Sequence, residues 1–234
     1  MIHLFIQNNR FFLGILLCLF ALGTQAALSR PVTEEGKPTE ITVIGAILDV
    51  DKIDSAEQNF TLNFYSIFRW KDARLTHEGP GNVRRSLSEI WHPRLTIVNT
   101  QKYWANTRDE VEISPQGLVT YRLHVFGDFS QPLELHDFPI DSHVFEVPVV
   151  AAGYRPHQVV LIPDAQIDSF IAEKLSVADW KVSHMQGVSR EVTLANGLKL
   201  PGFVFSFEGQ RLLHHYVVKA IVPLALIVMM SWVV

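Results

Sequence analysis

Two sets of residues in this 234-residue chain have types and spacing that could do chemistry. The first is His136-Asp137-x-x-x-Asp141-x-His143, two imidazoles and two carboxylates in one short stretch. These are donors that suit a divalent metal. Phe138-Pro139 between them, however, is a rigid turn: proline fixes its own φ and pushes the preceding residue towards an extended shape. Nothing in such a turn makes the four groups converge as a tetrahedral site requires, so no metal site is assigned. The second set is the histidines, most of which lie beyond the first 26 residues and change charge near neutral pH. A proton is therefore one candidate ligand. Gly-rich phosphate loops, nucleophile elbows and convincingly placed catalytic acid pairs are not evident. The chain is read as a non-enzyme without a cofactor.

The single cysteine, Cys18, lies in an N-terminal apolar run, so removal of that run leaves no thiol for a disulfide, a thiolate metal site or a nucleophile. A net charge of −4 points to neither nucleic acid nor a polybasic membrane contact. A 48% hydrophobic content is enough for one good core with apolar length to spare.

The elements that must position these residues follow from the patterning. Residues 1–26 read as a secretory signal, with Arg10, a short apolar stretch from Phe11 to Leu22, and Thr24-Gln25-Ala26 as the cleavage site. Residues 27–39 read as a flexible lead-in. Residues 40–212 break into about ten short strands, which implies an antiparallel, immunoglobulin-like β-sandwich. Phe60, Leu62, Phe64, Phe68 and Trp70 fall on one face of a strand, with Thr61, Asn63, Tyr65 and Arg69 on the other. Ser114-Pro115-Gln116-Gly117 reads as a turn and Asn196-Gly197 as a hairpin. Residues 213–234 are apolar apart from Lys219 over most of their length and read as one transmembrane α-helix, with Pro223 tolerated inside it.

Several landmarks occur in order: Trp70-x-Asp72-x-Arg74-Leu75, Trp91-x-Pro93 with Asn99, Phe138-Pro139-x-Asp141, Trp180, Arg211, and Pro223 with Ser231-Trp232. Together they resemble the pentameric ligand-gated ion channels, the Cys-loop receptor superfamily, from about residue 40 to the C-terminus. Leu135 or a neighbour and Phe145 stand where animal members carry the two loop cysteines, as in bacterial members. The resemblance implies an exported sandwich, periplasmic or extracellular, on a four-helix domain in the cell membrane, assembled as a homopentamer. Only the first of the four helices is present and the pore helix is absent, so the chain is expected to be a truncated subunit.

The resemblance also implies site residues. A small-molecule agonist would sit between subunits, with Tyr65, Val98, Tyr154 and Tyr121 as ligand-binding positions, where aromatic faces attract an ammonium group. Val98 stands where a tyrosine is common, and Ala151-Ala152-Gly153-Tyr154 replaces a tryptophan-bearing loop, so a full aromatic cage is not expected. Asp54, Phe138, Pro139, Asp141 and Arg211 are the implied gating and coupling residues, carrying binding from the sandwich to the membrane helices. The alternative reading is a membrane-anchored ligand- or carbohydrate-binding β-sandwich without channel activity.

Overall fold

A computed structural model of the chain describes residues 28–31, 36–105 and 107–232, without the side chains of residues 215, 216 and 220. The expected signal peptide lies outside the described residues. Fourteen strands are described: β1 (Thr39–Asp54), β2 (Asn59–Lys71), β3 (Val83–Ser86), β4 (Leu95–Ile97), β5 (Thr100–Ala105), β6 (Glu110–Ile113), β7 (Leu118–Ser130), β8 (Ser142–Ala151), β9 (Val159–Pro163), β10 (Phe170–Ile171), β11 (Trp180–Ser189), β12 (Val192–Thr193), β13 (Lys199–Leu200) and β14 (Gly202–Arg211). The count exceeds ten because β10, β12 and β13 are two-residue pairings too short to leave a periodic signal.

Alternation explains the long strands. In β2 every second residue from Phe60 to Trp70 is buried, including Ser66, whose hydroxyl donates to the Ile44 carbonyl. In the first half of β1 both faces are covered, with Val43 to Ile47 consecutively buried. The strand pairs antiparallel with β2 on one side and parallel with β9 and β10 on the other, so the sandwich is mainly rather than wholly antiparallel. The larger sheet runs β10-β1-β2-β7-β6-β3, with β5 added on β7 and β9 on β1; the smaller runs β11-β14-β8-β4. The Asn196-Gly197 turn closes a separate β12–β13 hairpin, with Gly197 at φ 78°.

Aromatic rings join the two sheets. Phe60 of β2 meets Phe145 of β8 and Phe207 of β14 at 5.1 and 5.7 Å between ring centroids, and Phe64 meets Phe205 edge-on at 5.0 Å. Offset and edge-to-face contacts of this kind add to what burial of the rings contributes. Gly45 of β1 makes room for one of them: a Cβ there would lie 2.3 Å from the Phe205 ring.

The chain leaves β14 at Arg211 and becomes helical. A short α1 (Leu213–Tyr216), a π turn over Val217–Ile221 and α2 (Val222–Trp232) follow one another. The expected α-helix over 213–234 is thus divided, over its described residues, into three consecutive segments. Among the described residues no helix is long and apolar enough to cross a membrane. The physical reason is Pro223, which has no N–H to bond back one turn and whose ring crowds the carbonyl four residues earlier. The turn just before it widens to the π form.

Candidate coupling and ligand-binding sites

The last residue of β14 and the first residues around β8 meet at one end of the sandwich. Loop 131–141 carries an apolar tip, with Leu135, Phe138 and Ile140 exposed, and a cis Phe138-Pro139 bond. Asp141 follows, and unlike the tip it is buried, at 3% exposure. A buried carboxylate needs partners, and Asp141 has them. Arg211 Nε donates to Oδ1 at 2.7 Å, and Arg211 Nη2 and His143 Nε2 reach Oδ2 at 3.1 and 2.8 Å. The backbone repeats the link, with the Arg211 N–H donating to the Asp141 carbonyl at 3.1 Å. Burial alone would push the Asp141 carboxyl up; the hydrogen bonds from Arg211 and His143 outweigh it and hold the group below the usual carboxylate range.

Arg211 gathers three separate segments. Its guanidinium lies 4.2 Å from the Trp180 ring centroid and 4.9 Å from that of Phe138, and Nη2 donates to Ser55 Oγ at 2.8 Å. Thus the turn after β1, the Phe138–Asp141 loop and β11 converge on Arg211, the last residue of β14 before the helical run, while His143 of β8 joins through Asp141. Of the five expected coupling residues, Phe138, Asp141 and Arg211 come together. Pro139 shapes the loop without a described contact to Arg211. Asp54 is not the partner from the first turn. Its Oδ1 caps the turn by accepting from the Ala56 and Glu57 N–H groups, and Lys52 pairs with Oδ2 at 2.5 Å. Lys52 and the turn N–H groups hold the Asp54 carboxyl low, and the neighbouring Ser55 reaches Arg211 instead.

The loop has no disulfide to close it, and a glutamine does part of that work. Gln131 Nε2 donates to the Val144 carbonyl at 2.6 Å and its Oε1 accepts from the Glu146 N–H at 2.9 Å, fastening the loop base across to β8. On the other side, the Gln131 N–H donates to the Gln58 carbonyl at 2.9 Å. Gln131, Ser55 and His143 were not among the expected site residues. Only the placement of His143 two residues after Asp141 hinted at its contact.

The expected ligand-binding residues are spread over the domain. Tyr65 is on the outer face of the larger sheet, its ring edge-on to His124 of β7 at 6.0 Å, with His124 Nε2 hydrogen-bonded to Asn63 Oδ1 at 2.7 Å. On the same face, Arg122 donates to Glu112 at 2.9 Å and holds that carboxyl low. Further along β7, Phe126 stacks on Trp104 of β5 at 6.1 Å, an exposed ring pair that had not been anticipated. Tyr121 points the other way. It sits opposite Phe68, stacks on it at 6.4 Å, and burial pushes its hydroxyl pKa up. Tyr65 and Tyr121 therefore lie on opposite faces of one sheet. Tyr154 is engaged inside the domain: its hydroxyl accepts from Trp91 Nε1 at 2.8 Å and its ring packs edge-on to Trp91. Val98 is exposed, with its N–H bonded to the Pro148 carbonyl at 3.0 Å.

A profile of the neurotransmitter-gated ion-channel ligand binding domain family matches residues 22–199. The chain belongs to that family. The gamma-aminobutyric acid receptor subunit beta-4 of Gallus gallus is similar to it, at 24% identity over 208 residues, 85% of this chain and 42% of the relative. The chain thus spans less than half the length of that relative. The matched range holds every candidate residue except Arg211, which lies beyond it.

Proposed function

We propose that this chain is the ligand-sensing part of a pentameric ligand-gated ion channel subunit of the bacterial type, built as a homopentamer. In this reading the sandwich is exported and residues 213–234 enter the lipid bilayer as the first membrane helix. A small-molecule agonist or protons act at subunit interfaces, with Tyr65 on the outer face of the larger sheet as the ring presented to a neighbour. Binding shifts the ring of subunits between two states, and the difference reaches the membrane through the Phe138–Asp141 loop.

The observation that carries this reading is the Asp141–Arg211 pair. A buried, two-point arginine–carboxylate contact is strong and geometrically defined, and here it ties the loop to the residue just ahead of the helical run. Tyr121 and Tyr154 support the ligand role less, since both are engaged within the domain. The test is current recording from the full-length subunit in a bilayer with candidate agonists and with acid steps. Agonist- or acid-evoked single-channel openings support the reading. Stable surface pentamers that bind ligand yet never conduct would favour a binding protein without a pore.

A further inference from the structure

His143 occupies an unusual position in the Asp141–Arg211 cluster. Its side chain is only 12% exposed and its ring packs against both Phe145 and Trp180, at 6.2 and 5.9 Å between centroids, with those two rings also in contact at 5.9 Å. Trp180 is also the ring on which Arg211 rests. Asp141 is an acceptor only, so neutral His143 must carry its proton on Nε2 and leave Nδ1 bare. The same imidazole borders a surface cleft, with Lys181, His184 and Glu208 on its other walls, so solvent protons have a route to it.

The charge balance gives that position a consequence. With His143 neutral, Arg211 and Asp141 cancel. A proton on Nδ1 leaves one carboxylate between two cations. Among the described residues, Asp179 lies just ahead of β11, its carbonyl accepting from the Leu212 N–H at 2.8 Å, and the other neighbouring acids are engaged. From β14, Glu208 is engaged by His184 of β11 at 3.1 Å; β11 otherwise brings Lys181, another cation; in the first turn Asp54 is paired with Lys52. The exposed His184–Glu208 pair is a surface pair of small energetic weight. The longest of the three side-chain bonds to Asp141 is the one from Arg211 Nη2, at 3.1 Å, to the same oxygen that His143 holds.

We infer that His143 is a proton-responsive member of this cluster, and that charging its ring weakens the hold of Arg211 on Asp141 and so makes signal transfer to the helical run pH-dependent. The last step rests on the coupling role proposed above for the pair. Histidine suits such a task because its charge changes within the physiological range.

The link itself is tested on the purified 234-residue chain in detergent, by NMR of the Arg211 Nε–Hε group and the His143 ring between about pH 7.5 and about pH 5.5. The Arg211 signal is expected to move with the same midpoint as the His143 ring. It should stay still in His143→Gln, whose amide can still donate to Asp141, and still move in His184→Gln. Movement that persists in His143→Gln overturns the inference, as does a still Arg211 signal while the His143 ring titrates in the wild type. The wild-type titration needs no variant to fold. In the full-length subunit, acid should change the agonist response about fivefold or more, with the change lost in His143→Gln. If Arg211→Gln gates like wild type, the coupling reading fails, whereas the NMR link is judged separately.

Discussion

Asp141→Asn keeps the shape of the side chain and removes the charge, leaving Arg211 packed between Trp180 and Phe138 without its anion. Breaking a buried pair from one side costs about 3–5 kcal/mol, and urea unfolding at neutral pH should read a loss of that order. The sign of the pH dependence follows from the lowered carboxyl of Asp141. Its stabilisation is fully present above the unfolded carboxyl value of about 3.9 and is lost as pH falls through the depressed folded value. Wild-type unfolding free energy should therefore drop more steeply in acid than that of Asp141→Asn. Tyr154 offers a contrasting case at the same scale. Tyr154→Phe strips the acceptor from the nearly buried Trp91 N–H, and an orphaned donor costs about 1–3 kcal/mol. Thermal melting should show that loss while agonist sensitivity stays near wild type; a large agonist shift with unchanged melting would make Tyr154 a ligand residue.

Among the elements, β1 and loop 131–141 make the sharpest demands. Gly45→Ala puts a methyl group against the Phe205 ring, and overpacking of this kind costs about 1–3 kcal/mol, measurable as a lowered melting temperature. Gln131→Ala removes both bonds that fasten the loop base to β8. Amide hydrogen exchange should speed up at Glu146, whose N–H loses its partner, with little change in β2. Much of this layout could be read from residue order. The face of β2 was visible because Phe60 to Trp70 alternate strictly, and Asn196-Gly197 located its hairpin. The faces of β1 were hidden because Val43 to Ile47 are buried on both sides of the sheet, which erases the alternation. The π turn was missed because Pro223 was read as tolerated inside a regular helix, and apolar length carries no sign of how the turn before it adjusts. At the Asp141–Arg211 cluster, Phe138, Asp141 and Arg211 were legible as landmarks. Ser55 was not, since Asp54 beside it carries the more conspicuous charge and is spent on Lys52 and its own turn. Tyr121 was placed among the ligand residues by resemblance, whereas the strand register puts it opposite Phe68, on the core face.

Across the described residues, two sheets are joined by phenylalanine rings into one core. The outer face of the larger sheet carries Tyr65 with His124 and, further along, Trp104 with Phe126, while the Asp141–Arg211 cluster closes the end from which the helical run departs. If Tyr65 holds a cationic agonist against a neighbouring subunit, Tyr65→Ala should weaken it by about 0.5–2 kcal/mol, a right shift of up to roughly thirtyfold in a full-length subunit. An unchanged agonist response would make Tyr65 an ordinary surface ring. The most direct measurement on the central claim, that Asp141 and Arg211 act together in passing binding to the membrane, is a double-mutant cycle in that subunit. Agonist responses are compared for wild type, Asp141→Asn, Arg211→Gln and the double variant, after surface pentamers have been verified for each. Close charge pairs couple by about 1.5 kcal/mol or more, so the double variant should be much less impaired than the sum of the single ones. Strictly additive effects, or single variants that gate with wild-type sensitivity and amplitude, would contradict the claim.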